Sequence, residues 1–194
     1  MRLPPPVRVV TSLANQFLIA MPQMADPNFS RTLTLICEHT DQGAMGLVVN
    51  RSMDLRVGQL LEHMDLEAAD AELGRQPVYY GGPVEMERGF VLHRPLGAWE
   101  NTIALSETLG LTASRDILEA MANGEGGPAD AMIMLGYAGW GAGQLETELA
   151  DNTWLTLPAE EAILFEEALP TRWQAAASRL GVDLTLLSSE AGHA

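Results

Sequence analysis

Cys37 and His39 stand two residues apart in a run, Thr32 to Glu38, that reads as a β-strand. Alternation along a strand would put both side chains on one face, the arrangement a thiolate–imidazole nucleophile needs. Leu33 and Leu35 belong to that same face, and burial among them raises a thiol's pKa. The residues therefore predict an inert core cysteine, followed by a histidine at the strand end.

A second candidate is the segment from Leu135 to Leu149, in which an apolar strand runs into Gly136, Gly139, Gly141 and Gly143 and then into a helix. Strand, glycine loop and helix N-terminus is the outline of a dinucleotide pyrophosphate site. Here Glu146 at the third helical position is placed to cap its own helix, and Glu148 adds negative charge where a phosphate needs positive potential. Close packing around Tyr137 and Trp140 accounts for the glycines without a phosphate.

Polar residues also gather at predicted strand ends. Asn50 and Arg51 follow Gly46 to Val49, and His93 closes Gly89 to Leu92. The segment Tyr79 to His93 makes a turn at Gly81, Gly82 and Pro83, with Glu85, Glu87 and Arg88 in the connection. Glycine amides, flat aromatic walls and two cationic side chains would suit a small, partly aromatic anion. The expected cleft is thus lined by Asn50, Arg51, His93, Gly136, Tyr137, Gly139, Trp140 and Gly141. The competing expectation is that Tyr137 and Trp140 fill the core and Arg51 pairs with a carboxylate.

The elements that must carry these residues are short. Strands are predicted at Phe17 to Ala20, Thr32 to Glu38, Gly46 to Val49, Val78 to Tyr80, Gly89 to Leu92, Thr102 to Leu105, Met132 to Leu135 and Thr153 to Leu157. Asp41, Gln42 and Gly43 mark a hairpin between the second and third. Helical spacing links Val57, Leu60, Leu61 and Met64, and again Trp173, Ala176, Ala177 and Leu180, with Thr171 as cap and Gly181 as stop. Thr112 is the expected cap of a helix over Ala113 to Ala122 that ends at Gly124. Irregular alternation of such elements, without a linker or repeat, predicts one α+β domain. Residues 1–12, with Pro4 to Pro6, read as a disordered leader, and residues 13–194 as the domain.

Charge excludes more than it suggests. The net charge is −15, all eleven basic residues are arginines, and the absence of lysine removes Schiff-base chemistry and a phosphate-loop lysine. From Asp116 to Thr171 the chain has eleven carboxylates and no arginine. A phosphate backbone would be repelled there, so no nucleic-acid partner is expected. One cysteine forbids an internal disulfide, four scattered histidines show no metal-ligand spacing, and no apolar stretch suggests a membrane span. A reducing cytoplasm fits best, with no cofactor and no metal expected.

Five blocks resemble one known family over nearly the whole chain and in order: LANQFLIAMPQMADPNF (Leu13 to Phe29), LICEHTDQGAMGLVVNR (Leu35 to Arg51), VYYGGPVEMERGFVLH (Val78 to His93), LGYAGWGAGQLETELADNTWL (Leu135 to Leu155) and the terminal GHA (Gly192 to Ala194). They are similar to the YqgE/AlgH family of bacterial proteins. Ser52 stands where that family usually has proline, and Ala113 where it has threonine. The resemblance implies an α+β fold whose sheet curls into a partly closed barrel flanked by helices, in a cytosolic protein of unestablished activity, and it supplies no catalytic residue. Part of the family carries the label of transcriptional regulator, but no helix-turn-helix with a basic recognition helix is legible.

Three functions follow as expectations. The first is a non-enzymatic regulatory domain that binds a small anionic or aromatic molecule, or a protein. The second is an enzyme of unrecognised type using Glu38, His39 or His93, and the third is direct transcriptional regulation. Oligomeric state is open.

Overall fold

The computed structural model describes residues 11–190. Most of the expected leader, residues 1–10, and the terminal GHA lie outside the described residues.

Ten strands form one mixed sheet: β1 (Gln16–Ala20), β2 (Leu33–Thr40), β3 (Gly43–Val48), β4 (Ser52–Arg56), β5 (Pro77–Tyr80), β6 (Val84–Arg94), β7 (Thr102–Ala104), β8 (Gly110–Thr112), β9 (Asp130–Gly141) and β10 (Trp154–Pro158). Their order is β10–β1–β2–β3–β9–β6–β8–β7 with antiparallel neighbours, while β5 branches off, parallel to β9, and carries β4. The sheet curls into a half-barrel around the largest core. Phe17, Ile19, Leu33, Leu35, Leu47, Leu92 and Met134 face inward, against Ile163, Leu164, Ala176 and Ala177 from α5 (Glu161–Phe165) and α6 (Arg172–Arg179). Outside the curl, Leu18, Ile36, Ala138, Trp140 and Trp154 pack under Leu145 of α4 (Gln144–Ala150). Val78, Val91 and Ile133 pack under α1 (Val57–His63) and α3 (Arg115–Asn123). Both sheet faces are covered, which is why these strands read as apolar runs as much as alternations. The chain is a single α+β domain with a curled sheet and flanking helices, as expected.

Several boundaries differ from expectation. Two short strands, β4 and β8, were not expected, and α2 (Ala71–Arg75) is a single turn and a half capped by Asp70. Thr112 ends β8 instead of capping a helix. Its hydroxyl is taken by His93, so the chain turns into α3 two residues later, at Ser114. Gly124 does end α3 in the left-handed conformation. The glycine loop is not a loop: β9 continues through Gly139 and Gly141, and only residues 142–143 separate it from α4.

Two residues, Cys37 and Gly136, decide which way side chains point. Cys37 bulges out of the β2–β3 ladder, where Ile36 pairs with Gly46 and Glu38 with Met45. A bulge places two consecutive residues on one side, so Cys37 lies in the inner core, Glu38 lies exposed on that same side beside Met45, Phe90 and Tyr137, and His39 points to the outer side toward α4. In β9 the switch is Gly136, at φ 76°. Before it Met132 and Met134 point inward; after it Tyr137 does, and Ala138 and Trp140 point outward. Gly81 and Gly82 cross this switch at backbone contact. Gly81 N–H donates to Leu135 O at 2.8 Å, and Gly81 O accepts from Val48 N–H at 2.8 Å. A Cβ on Gly82 would lie 2.1 Å from the carbonyl carbon of Tyr137, and one on Gly136 would lie 2.3 Å from Gly82 O.

Gly82→Ala is therefore expected to cost at least about 3 kcal/mol in urea unfolding, whereas Gly181→Ala, left-handed but in open space, costs about 1 kcal/mol. Equal losses would show that conformation alone, not the crossing, requires glycine.

Candidate functional site

The residues expected to share a cleft are kept apart. Trp140 is 6% exposed, its indole N–H donates to Glu148 at 2.7 Å, and its ring packs against Phe29 and Trp154 at centroid distances of 6.2 Å. Tyr137, on the inner face, meets Phe90 edge-on. Gly136 is the buried switch of β9, while Gly139 and Gly141 are exposed strand positions. Arg51 caps a loop: its guanidinium donates to the carbonyls of Pro27, Asn28 and Ser30 at 2.8, 2.9 and 2.6 Å. Asn50 completes that clasp, accepting from Leu33 N–H and donating to Arg31 O. Together they hold Phe29 against the two tryptophans.

His93 is fully buried. Its Nδ1 bonds Pro95 O at 3.1 Å, its Nε2 bonds the Thr112 hydroxyl at 2.7 Å, and Thr112 meets Thr102 at 2.8 Å. Burial pushes its pKa down against the smaller raising effect of the Pro95 bond. The ring is thus neutral, an Nδ1–H donor and Nε2 acceptor, and supplies no positive potential. The expected cleft at Asn50, Arg51, His93, Gly136, Tyr137, Gly139, Trp140 and Gly141 fails because each polar group is consumed locally and the aromatics face opposite sides of β9.

The enzymatic set is dispersed in the same way. His39 accepts Leu13 N–H at Nδ1 and bonds Glu146 through Nε2 at 2.5 Å, and the Glu146 pKa is lowered first by that bond and then by its own backbone N–H in the first turn of α4. Glu38 lies across the sheet from this pair, and Cys37 does not share the His39 face. Burial pushes the Cys37 thiol far above its ordinary range, with Glu38 adding to the effect. Among the described residues, no group of three or more His, Cys, Asp or Glu side chains is arranged to hold a metal.

A different feature is open and charged. A cavity of about 460 Å³ lies between α2, the loop after α3, α5 and the start of β9. Arg172, 5% exposed, forms part of its wall beside Tyr79, Asp70, Asp130 and the backbone of Gly124, Gly126 and Gly127. Arg172 donates from Nε to Glu167 O at 3.1 Å and from Nη1 to Val49 O at 2.7 Å, and its Cζ lies 5.6 Å from the centre of the Tyr79 ring. No carboxylate among the described residues pairs with it. The neighbouring acids are engaged elsewhere: Asp130 holds Arg94 at 2.7 Å, Glu166 holds Arg94 at 3.4 Å, and the Glu167 carboxylate accepts from the Thr171 hydroxyl at 2.6 Å. A buried guanidinium cannot neutralise itself by losing a proton, so its charge calls for a counter-charge. Sequence reasoning overlooked Arg172. The available signal was a cation at the first position of a helix, where the backbone dipole disfavours it.

The model of a family described as AlgH-like matches residues 17–185. The chain belongs to the AlgH-like family. This AlgH-like protein is 59% identical over 184 residues to a UPF0301 protein of Thioalkalivibrio sulfidiphilus, covering 95% of this chain and 98% of that one. It is similar to the solution structure of the AlgH protein from Pseudomonas aeruginosa, with a TM-score of 0.78, 49% identity and 100% coverage of both chains. The crystal structure of protein DIP2367 from Corynebacterium diphtheriae shares the fold at 22% identity, with a TM-score of 0.70 and 90% coverage of each chain. No described helix is long and apolar enough to cross a membrane.

Two outcomes follow from these settings. Because His93 has a lowered pKa when folded, the unfolded chain binds more protons below about pH 6.5. The stability it contributes is present above that pH and declines as pH falls toward the folded value. In urea unfolding from pH 8 to 5, the stability gap between wild type and His93→Gln is expected to narrow; a constant gap would contradict a neutral buried ring. The Cys37 thiol is expected to resist alkylation in the native protein at neutral pH, and Cys37→Ser to cost on the order of 1–3 kcal/mol. Labelling as fast as in denaturant would contradict its burial.

Proposed function

We propose that this AlgH-like protein is a non-enzymatic binding domain whose ligand is a small molecule held in the cavity at Arg172. The observation that carries this reading is a buried, permanently charged guanidinium on the wall of a cavity of about 460 Å³ with no carboxylate partner among the described residues. That volume lies within the range typical of small-molecule sites. Most other arginines are used on the surface or by local carbonyls: Arg94, Arg115 and Arg179 pair with carboxylates, and Arg51 holds a loop. An enzymatic reading has no histidine or cysteine at the cavity, since His93, His39 and Cys37 are committed elsewhere, and the two carboxylates on its wall, Asp70 and Asp130, are each hydrogen-bonded within the protein. Direct transcriptional regulation has a net charge of −15 against it. A regulatory role in the cytoplasm, acting through the bound ligand, fits these properties.

The test is a thermal-shift screen of cell metabolites on wild type and on Ala129→Trp, which fills the cavity from its exposed rim. A true ligand at about a hundred times its Kd raises the wild-type Tm by about 5–10 °C and leaves the plugged variant unmoved. Shifts retained in the plugged variant would place the ligand elsewhere, and turnover of a hit would make the protein an enzyme.

A further inference from the structure

We infer that the ligand of the Arg172 cavity carries one carboxylate on a flat apolar body; this rests on the cavity being the binding site. Of the guanidinium nitrogens, Nε and Nη1 are taken by the Glu167 and Val49 carbonyls, and Nη1 also touches the Met132 sulfur at 3.9 Å. Carbonyls fix its orientation but carry no net charge. Nη2 has no hydrogen-bond partner among the described residues, so the group offers one free nitrogen, with two charge-assisted N–H donors, instead of the paired Nη1/Nη2 fork. Beside it the Tyr79 hydroxyl has no hydrogen-bond partner among the described residues, and the amides of Gly126 and Gly127 donate to no described residue.

The remaining wall sets the charge and shape. Asp70 and Asp130 line the same cavity, each with one oxygen committed, to Leu73 N–H and to Arg94 respectively. Asp130 is neutralised by Arg94, so Arg172 faces one carboxylate without a cation, Asp70; that residual negative charge opposes a phosphate dianion more strongly than a monoanion seated directly on Nη2. Leu73, Met121, Leu164 and Phe165 give the cavity an apolar side. With the Tyr79 ring, this is a surface for a flat apolar group.

The experiment titrates the full chain with sodium benzoate, benzamide and phenyl phosphate. Affinity is read by calorimetry and location by the Gly126 and Gly127 amide resonances. Benzoate is expected to bind about tenfold or more tightly than either other probe, moving both amides. In Arg172→Gln the benzoate-to-benzamide ratio is expected to fall to about one. Should that variant not fold, the wild-type ratios decide alone. Benzamide binding as well as benzoate overturns the carboxylate inference while leaving the cavity a binding site. Phenyl phosphate binding tightest overturns the single-charge assignment, and benzoate binding without moving the amides overturns its location. Failure of all three probes up to 100 mM overturns the inference; the binding reading falls separately, only if the metabolite screen is also empty.

Discussion

Where Gly81 and Gly82 cross Gly136 and Tyr137, three backbones meet with no room for a side chain, and the rest of the fold is arranged around that contact. Gly81 joins β3 on one side to β9 on the other through two backbone hydrogen bonds of 2.8 Å. The left-handed turn of Gly136 lets one strand serve both halves of the half-barrel, packing against α1 and α3 before the crossing and against α4 after it. Side-chain packing energy on both sides depends on that one reversal, because a strand without it would send Tyr137, Ala138 and Trp140 to the wrong faces.

The same crossing builds the cavity. It fixes the end of β3, with the Val49 carbonyl, beside β5, with Tyr79, and beside the start of β9, with Met132, and Arg172 from α6 reaches all three. The acid-rich segment from Asp116 to Thr171 runs up to this arginine in sequence, yet four of its carboxylates, Asp130, Glu160, Glu161 and Glu166, pair with Arg94 or Arg179 instead. Arg94 sits over Phe165 and holds Asp130, Glu161 and Glu166, so it closes off the acids that would otherwise neutralise the cavity floor. A charge held in place by neutral carbonyls is a poor device for stability alone, since a packed apolar residue would serve as well.

The sequence was a good guide wherever periodicity alone decides. The spacing of Val57, Leu60, Leu61 and Met64, and of Trp173, Ala176 and Ala177, located α1 and α6, and the apolar runs located most of the sheet. It misled where one residue reverses alternation. Cys37 and His39 are two apart and would share a face but for the bulge, and nothing in the types of residues 36 to 38 signals it. Gly136, Gly139 and Gly141 read as a loop because glycine disfavours strands, but here Gly136 is the reversal and the other two are tolerated by pairing with β3. The expected cleft failed for a related reason: polar residues at strand ends gather in sequence, whereas Arg51 and His93 are consumed by carbonyls and a hydroxyl that only the folded chain supplies. Arg172 is the converse, unremarkable in sequence and set apart by a burial that depends on four separate elements.

The most direct measurement of the central claim is a crystal structure of the protein grown in sodium benzoate. A carboxylate oxygen about 2.8 Å from Arg172 Nη2, with the ring against Tyr79, is the predicted result. A guanidinium instead paired with a protein carboxylate, such as Asp130 or Glu167 turned inward, would show that the charge is already satisfied and contradict the account.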